Sequence, residues 1–171
     1  MGIKKVLVFD LNYMGDMLMS SPVMRALKRN GVEQVDVIAY DFCIPVLWGN
    51  PYIDEIFIVS NWKDKWKQAW RARKRKYDLI LQLNTSLYTN ILMWVAGGLE
   101  RLGYNHRGRG LLNTIRVPIA HRTAHGGNRV RECLDLLERG LGWKCDDERM
   151  IFIGGTQKIN VQDYNLSKSG T

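Results

Sequence analysis

Short apolar runs of strand length, separated by segments of helical period, are the feature that most constrains this chain. KKVLVFD (4–10), VDVIAY (35–40), EIFIVS (55–60) and YDLILQL (77–83) each carry an uninterrupted apolar centre. Among them stand PVMRALKRN (22–30), FCIPVLWGN (42–50), a Trp-rich segment (61–76) and SLYTNILMWVAG (86–97), followed by ERLGY (100–104) and NRVRECLDLLERGL (128–141). A strand that is apolar on both sides must be covered on both faces, and alternation with helices supplies the cover. The pattern therefore predicts an α/β fold with a Rossmann-like, doubly wound, mostly parallel sheet. In such sheets the ligand crevice lies beyond the carboxyl ends of the strands, which directs attention to the loops after Asp10, Tyr40, Ser60, Leu83 and Tyr104. Segment 105–127 is rich in Gly, Arg and His without a clear period and reads as a functional loop or an irregular crossover.

At 171 residues the chain has the length of one ordinary domain, or of one half of a two-domain enzyme. With 46% hydrophobic and 25% charged residues, 16 Gly and 4 Pro, it can bury a core and is neither collagen-like nor of low complexity. Its longest uncharged apolar stretch, ILMWVAGGL (91–99), is less than half of what a membrane span needs. The opening residues lack a secretory apolar region, and Val6 stands where a myristoylation signal would have Ser or Thr. A cytoplasmic location is the expectation. Cys43, Cys133 and Cys145 are too far apart for a zinc knuckle or a redox dithiol and read as reduced, structural residues.

The formal net charge of +8 is unevenly spread. Residues 61–76 hold Lys63, Lys65, Lys67, Arg71, Arg73, Lys74, Arg75 and Lys76 against Asp64 alone, eight cations to one anion. A second basic stretch carries Arg101, Arg107, Arg109, Arg116 and Arg122 against Glu100. Such polarisation suits an anionic partner, whether a phosphorylated glycan, nucleic acid or a membrane surface, and it also suits a solvated helix face. Trp62, Trp66 and Trp70 recur every four residues as one helical stripe, which reads as core-facing. The same interleaving of indoles and cations would serve stacked bases or an anionic membrane.

After the first strand the chain reads LNYMGDMLMSSP, with Gly15 alone where a dinucleotide binder would carry three glycines, so tight nucleotide binding at this loop is disfavoured. Gly15 is expected to free the backbone for a turn. Asp16 follows at or near a helix start, where exposed amides favour an ionised carboxylate. Such a residue can cap the helix, and in a crevice it can take a proton from a hydroxyl; the two roles are compatible.

KKVLVFDLNYMGDMLMSSPVMRALKRN followed by VDVIAYDFCIPVLWGNPYIDEIFIVS resembles the N-terminal half of glycosyltransferase family nine, the lipopolysaccharide heptosyltransferases and their relatives. The GD turn with a following Pro, GNPYIDEI, the basic helix before KYDLILQL, RLGY and HGGNRVRECLDLLERGLG keep the family's order along nearly the whole chain. The resemblance implies the N-terminal domain of a GT-B fold, in which two Rossmann-like domains face one cleft. It implies that Asp16 is the general base for an inverting transfer from a nucleotide-activated sugar, with no cofactor and no metal; no His, Cys or Asp ligand cluster stands in the sequence. It further implies an acceptor-binding set of Asn12, Tyr13, Gly15, Lys63, Lys65, Lys67, Asn84, Thr85, Arg107, Arg109, Arg129 and Arg131, whose cations suit phosphate or carboxylate groups. His125 is a helix cap, an acceptor contact or a plain surface residue. Asn12 and Tyr13 replace small residues of many members, and QLNTSLYT, with Gln82, Asn84, Thr85 and Tyr88, stands where they read close to DLQGSLRS; donor and acceptor identity stay open.

The expected organisation is a Rossmann-like acceptor-binding domain over residues 1–145, then a linker or polar tail over 146–171, with the donor domain absent. The implied function is the acceptor-binding half of a heptosyl- or hexosyltransferase, inactive alone. Its partners are an acidic glycan or lipopolysaccharide-core acceptor and, given a second domain, a nucleotide-sugar donor. Peripheral contact with the membrane's inner face through the 62–76 basic helix is a further expectation. The competing reading is a non-catalytic basic module for nucleic acid or an anionic surface. Nucleic acid is the less favoured partner, because a carboxylate in the crevice serves no polyanion binder.

Overall fold

A computed structural model describes residues 2–119 and 127–153. Side chains alternate along each strand, and this alternation builds two apolar layers. In β1 (Lys5–Phe9), Val6 and Val8 face one layer and Leu7 and Phe9 the other, and all four are fully buried. β2 (Gln34–Tyr40), β3 (Glu55–Val59), β4 (Leu79–Gln82), β5 (Glu100–Asn105) and β6 (Ile115–Pro118) complete a six-stranded sheet of order β3-β2-β1-β4-β5-β6. Every pairing is parallel. Helices α1 (Met14–Arg29), α2 (Ile44–Leu47) and α5 (Arg129–Leu141) pack over Val6, Val8, Val35, Val37, Leu79, Leu81 and Leu102, whereas α3 (Trp62–Arg73) and α4 (Leu87–Ala96) cover Leu7, Phe9, Ile38, Phe57 and Ile80. This is the doubly wound, Rossmann-like arrangement read from the alternation, here wholly parallel.

Two expectations are corrected. Segment 105–127 is more than a loop: it contains β6, a short strand whose Arg116 faces outward and whose last residue is a proline suited to a sheet edge. The Trp stripe is not core-facing. The inward positions of α3 are Ala69 and Ala72, small enough to bring the helix close to the sheet, and the indole line is rotated by about a quarter turn from them. Trp62 and Trp70 are accordingly 64% and 59% exposed, and only Trp66 is partly covered.

Beneath α3 lies a polar layer with no counterpart in the apolar pattern. Asp36 and Glu55 are register partners on β2 and β3 and point at α3. Arg71 reaches Glu55 at 3.0 Å, and Arg75 reaches Glu55 at 2.5 Å and Asp36 at 3.5 Å, both guanidinium groups lying over the Phe57 ring. The buried Asp36 carboxylate also accepts from Gln34 and from the Tyr77 hydroxyl. Burial pushes Asp36 above its ordinary value, and the same burial, with Asp36 beside it, pushes Tyr77 upward.

In α1, Pro22 lacks the amide that would bond the Leu18 carbonyl, and the Ser21 hydroxyl donates to that carbonyl instead, at 2.7 Å. Ser21 in turn accepts the Ile151 amide at 2.8 Å, so residues 147–151 lie along α1. Arg25, buried in α1, holds the Asp147 carboxylate at 2.9 Å and the Asp147 and Arg149 carbonyls at 2.9 and 2.6 Å. The Arg149 guanidinium beside Asp147 holds its carboxyl well below the usual range.

All three cysteines are buried free thiols, and burial pushes Cys43 and Cys133 up to about 12 and Cys145 to about 11. Native protein is expected to resist a thiol reagent near neutral pH and to react after unfolding, as a timed colorimetric titration will report. The linked stability is complete below the ordinary thiol value of 9.0 and is lost as pH rises toward about 12, because the unfolded chain ionises first. Tyr77→Phe removes one of the donors to the buried Asp36 carboxylate and is expected to lower stability by about 1–3 kcal/mol in urea unfolding.

Candidate active site

Strand order reverses at β1: the chain first winds outward to β2 and β3, then returns to lay β4 along the other side of β1. The loops leaving β1 and β4 run to opposite faces of the sheet and open a crevice. A cavity of about 720 Å³ occupies this place. The loop after β1 brings Asn12 to it and the first turn of α1 brings Asp16, the loop after β4 brings Asn84 and Thr85, and the end of β5 with its following turn brings Tyr104, Asn105, His106 and Arg109. Arg129, Glu132 and Asp135 line it from one face of α5.

Asp16 lies in the first turn of α1 with its side chain 39% exposed, toward the cavity. It does not cap the helix. Tyr13 occupies the cap position without a side-chain cap bond, and Gly15 is itself helical, so the expected glycine turn is absent. Space lies open around Gly15, where an added Cβ would meet nothing within 4 Å.

Asp10, one residue beyond β1, is completely buried. Its carboxylate accepts from the Ser20 hydroxyl of α1 and from the Asn12 side-chain amide, the latter at 2.6 Å. Burial raises Asp10 above its ordinary value, against the pull of those two bonds and of Arg129. Asp10 thus anchors Asn12 and ties α1 to β1 while being sealed from any substrate.

Arg129 joins the parts. Its guanidinium donates to the Leu83 carbonyl at the end of β4 and to Glu132 at 3.3 Å, and it stands 3.9 Å from the Asp16 carboxylate. Asn128 caps α5 by accepting the Arg131 amide, which fixes the turn that aims Arg129. The Asn84 side-chain oxygen is occupied by Gln82 at 2.7 Å and by the Ser86 amide at 3.2 Å, so its remaining capacity is donor N–H. The turn carrying Arg109 is pinned to α4 where Asn90 donates to the Arg109 carbonyl at 2.6 Å.

Of the expected acceptor set, Asn12, Asn84, Thr85, Arg109 and Arg129 meet at the cavity with Asp16. The others lie elsewhere. Lys63 and Lys67 are exposed on α3, and Lys65 points at the Tyr40 hydroxyl, 2.9 Å away. Arg131 turns away to Glu138 and the Cys145 carbonyl. Arg107 is an exposed residue at φ 48° in the turn after β5, and Tyr13 stacks on Phe42. His125 and Arg122 lie outside the described residues. Sequence reasoning missed Asp10, His106, Glu132 and Asp135; the spacing of 129, 132 and 135, one helical face ending at a crevice loop, is the signal that points to the last two. Among the described residues no group of three or more His, Cys, Asp or Glu side chains could hold a metal ion.

No family model matches the chain. The curated lipopolysaccharide heptosyltransferase 3 of Escherichia coli is 30% identical over 141 residues, which covers 74% of this chain and 40% of that protein. The chain is heptosyltransferase-like. Among solved structures, the E. coli heptosyltransferase WaaC with ADP superposes with a TM-score of 0.72 at 14% identity, over 96% of this chain and 53% of that one. A glycosyl transferase family 9 protein of Veillonella parvula superposes with a TM-score of 0.68 at 17% identity, over 86% and 43%. The sheet therefore has the α/β fold of the heptosyltransferase structures of GT-B type, and the chain spans about 40% of the length of the curated relative.

Arg129→Gln removes the charge shared by Asp10 and Asp16 and is expected to destabilise the fold by about 2 kcal/mol, read as a shift of the urea midpoint with an unchanged slope.

Proposed function

We propose that this chain is the acceptor-binding part of an inverting glycosyltransferase, with Asp16 as its general base. The acceptor is a hydroxyl of an acidic, lipopolysaccharide-core type glycan, and the donor is a heptose-like sugar on a nucleoside diphosphate. Asp16 takes the hydroxyl proton as that oxygen bonds to the anomeric carbon; the bond from that carbon to the diphosphate breaks, and its electron pair leaves with the diphosphate. An alcohol is a poor nucleophile near neutral pH, so a base placed at the reacting oxygen lowers the barrier.

The observation that carries this reading is the contrast between two neighbouring carboxylates: Asp10 is sealed and spent on structure, and Asp16 is open to the crevice. Asn12, Asn84 and Thr85 offer hydrogen bonds to sugar hydroxyls, and Arg109 offers charge to an acidic group. The similar proteins are lipopolysaccharide heptosyltransferases, and WaaC was solved with ADP, which supports the sugar and donor classes. On this reading the donor is held by a second domain facing the cavity, and residues 1–145 bind acceptor without transferring sugar by themselves. The chain works in the cytoplasm.

The reading as a basic nucleic-acid module finds less support, because Arg71, Arg73 and Arg75 of the basic run are bound to Glu55, to the Val95 carbonyl and to Asp36.

In a protein that carries both acceptor and donor domains, Asp16→Asn is expected to lower kcat about 10²–10⁴-fold while acceptor affinity changes less than about three-fold. Turnover is followed by nucleotide release, and affinity by calorimetric titration of a core oligosaccharide. Unchanged kcat would remove Asp16 as the base.

A further inference from the structure

We infer, on the acceptor-binding reading of the crevice, that Gln82 and Asn90 are positioning residues, a pair of buried carboxamides that fixes the spacing between the Asn84 amide and the Arg109 guanidinium. Gln82 ends β4 and is fully buried, and Asn90 lies in α4 with 1% exposure. Gln82 donates to the Asn84 side-chain oxygen at 2.7 Å and to the Ser86 carbonyl at 2.9 Å. Asn90 donates to the same Ser86 carbonyl at 3.4 Å and to the Arg109 carbonyl at 2.6 Å. One carbonyl therefore joins the residue that orients Asn84 to the residue that holds the Arg109 turn.

Their partners settle which way both carboxamides face. A backbone carbonyl only accepts, so each side chain must present its amide nitrogen to Ser86. The Gln82 and Asn90 oxygens then point away, and among the described residues neither has a hydrogen-bond partner. A buried oxygen left unpaired is costly, and an apolar side chain of like shape carries no such cost. Stability alone would favour leucine or methionine at both places. What the amides supply is direction.

Asn84, its oxygen held by Gln82 and by the Ser86 amide, has only N–H groups left to offer the crevice it lines. Arg109 follows two left-handed residues, Arg107 at φ 48° and Gly108 at φ 76°, and the bond from Asn90 ties this turn to α4. At the far foot of the turn, Asn113 lays its own buried and unpaired carboxamide beside Gln82. Gly103 leaves the room: a Cβ there would stand 2.6 Å from Asn113 Nδ2 and 3.3 Å from Gln82 Oε1. Where related chains read close to DLQGSLRS, an acid matches Gln82, and an ionised acid donates to nothing; the link is a departure of this chain from that pattern. Two contacts of different chemistry are thus held apart at a set distance, neutral N–H donors for a sugar oxygen and a guanidinium for a phosphate or carboxylate. Such a wall selects an acceptor by the separation of a hydroxyl and an anionic group as well as by their presence.

The test is calorimetric titration of the chain with a phosphorylated core oligosaccharide and with the same oligosaccharide after phosphatase treatment. Asn90→Leu is expected to lower affinity for the phosphorylated probe about five-fold or more and to leave the dephosphorylated one within about two-fold, because it acts through Arg109. In an Arg109→Gln background the same change is expected to have no further effect, which marks the two residues as one unit. Gln82→Met acts through Asn84 and is expected to weaken both probes alike, by about three-fold or more. Urea midpoints of Asn90→Leu and Gln82→Met are expected to equal or exceed the parent's. Additive losses in the double variant, unchanged affinities, or a lowered midpoint in either single variant overturn the inference. A parent that binds neither probe removes the acceptor-binding reading and this inference with it. A parent that binds, beside variants that bind equally well, removes this inference alone.

Discussion

The reversal of strand order at β1 is the constraint on which the rest depends. Parallel neighbours cannot be joined by hairpins, so each connection crosses a face of the sheet in a helix, and the face it takes decides where its loop departs. The connection from β1 to β2 passes through α1 on one face, and that from β4 to β5 passes through α4 on the other. Their loops separate at the carboxyl ends of β1 and β4, and the separation is the crevice. Nothing else in the fold would bring Asp16 within reach of Thr85, from which it is far apart in sequence. Arg129 then latches α5 to the Leu83 carbonyl just beyond β4, so the crevice has a far wall as well as two lips.

Much of this was legible in the residues. Strands β1 to β4 announce themselves because burial on both faces demands unbroken apolar runs, and the GD pair after β1 marks the accessible carboxylate. β6 was hidden because an edge strand is under weaker demands: Arg116 can face solvent, and Pro118 loses no ladder bond that matters. The helical stripe at 62, 66 and 70 was legible as a stripe but not as to direction. Period tells which residues share a face, and only packing tells which face turns inward. Here two alanines won the inner position because a closer helix buries the sheet better than one propped on indoles.

The same limit explains the cations. Eight basic residues in one short run read as one electrostatic object, yet they divide by helical angle into different fates. Arg71 and Arg75, four apart, turn toward Glu55 and Asp36, carboxylates on two strands whose own neighbourhoods are apolar. Arg73 closes the end of α4 by bonding the Val95 carbonyl. Lys63, Lys67 and Lys74 stay in water. A linear count of charge cannot separate these, because the anions that claim the arginines are remote in sequence and adjacent only once β2 and β3 pair in register.

The two aspartates after β1 show how one charge can serve two purposes. Asp10 and Asp16 both sense the Arg129 guanidinium, but water reaches only one of them. Around Asp10 the low-dielectric surroundings make ionisation expensive, and the Ser20 and Asn12 bonds offset part of that penalty. The return on holding a carboxyl there is geometric, since the same bonds fix the start of α1 and the side chain of Asn12. Asp16, in the first turn of α1, inherits that fixed position without the burial. A base needs both placement and access, and no single residue at this turn could supply them, because the contacts that fix a carboxylate rigidly are the contacts that shut out its substrate.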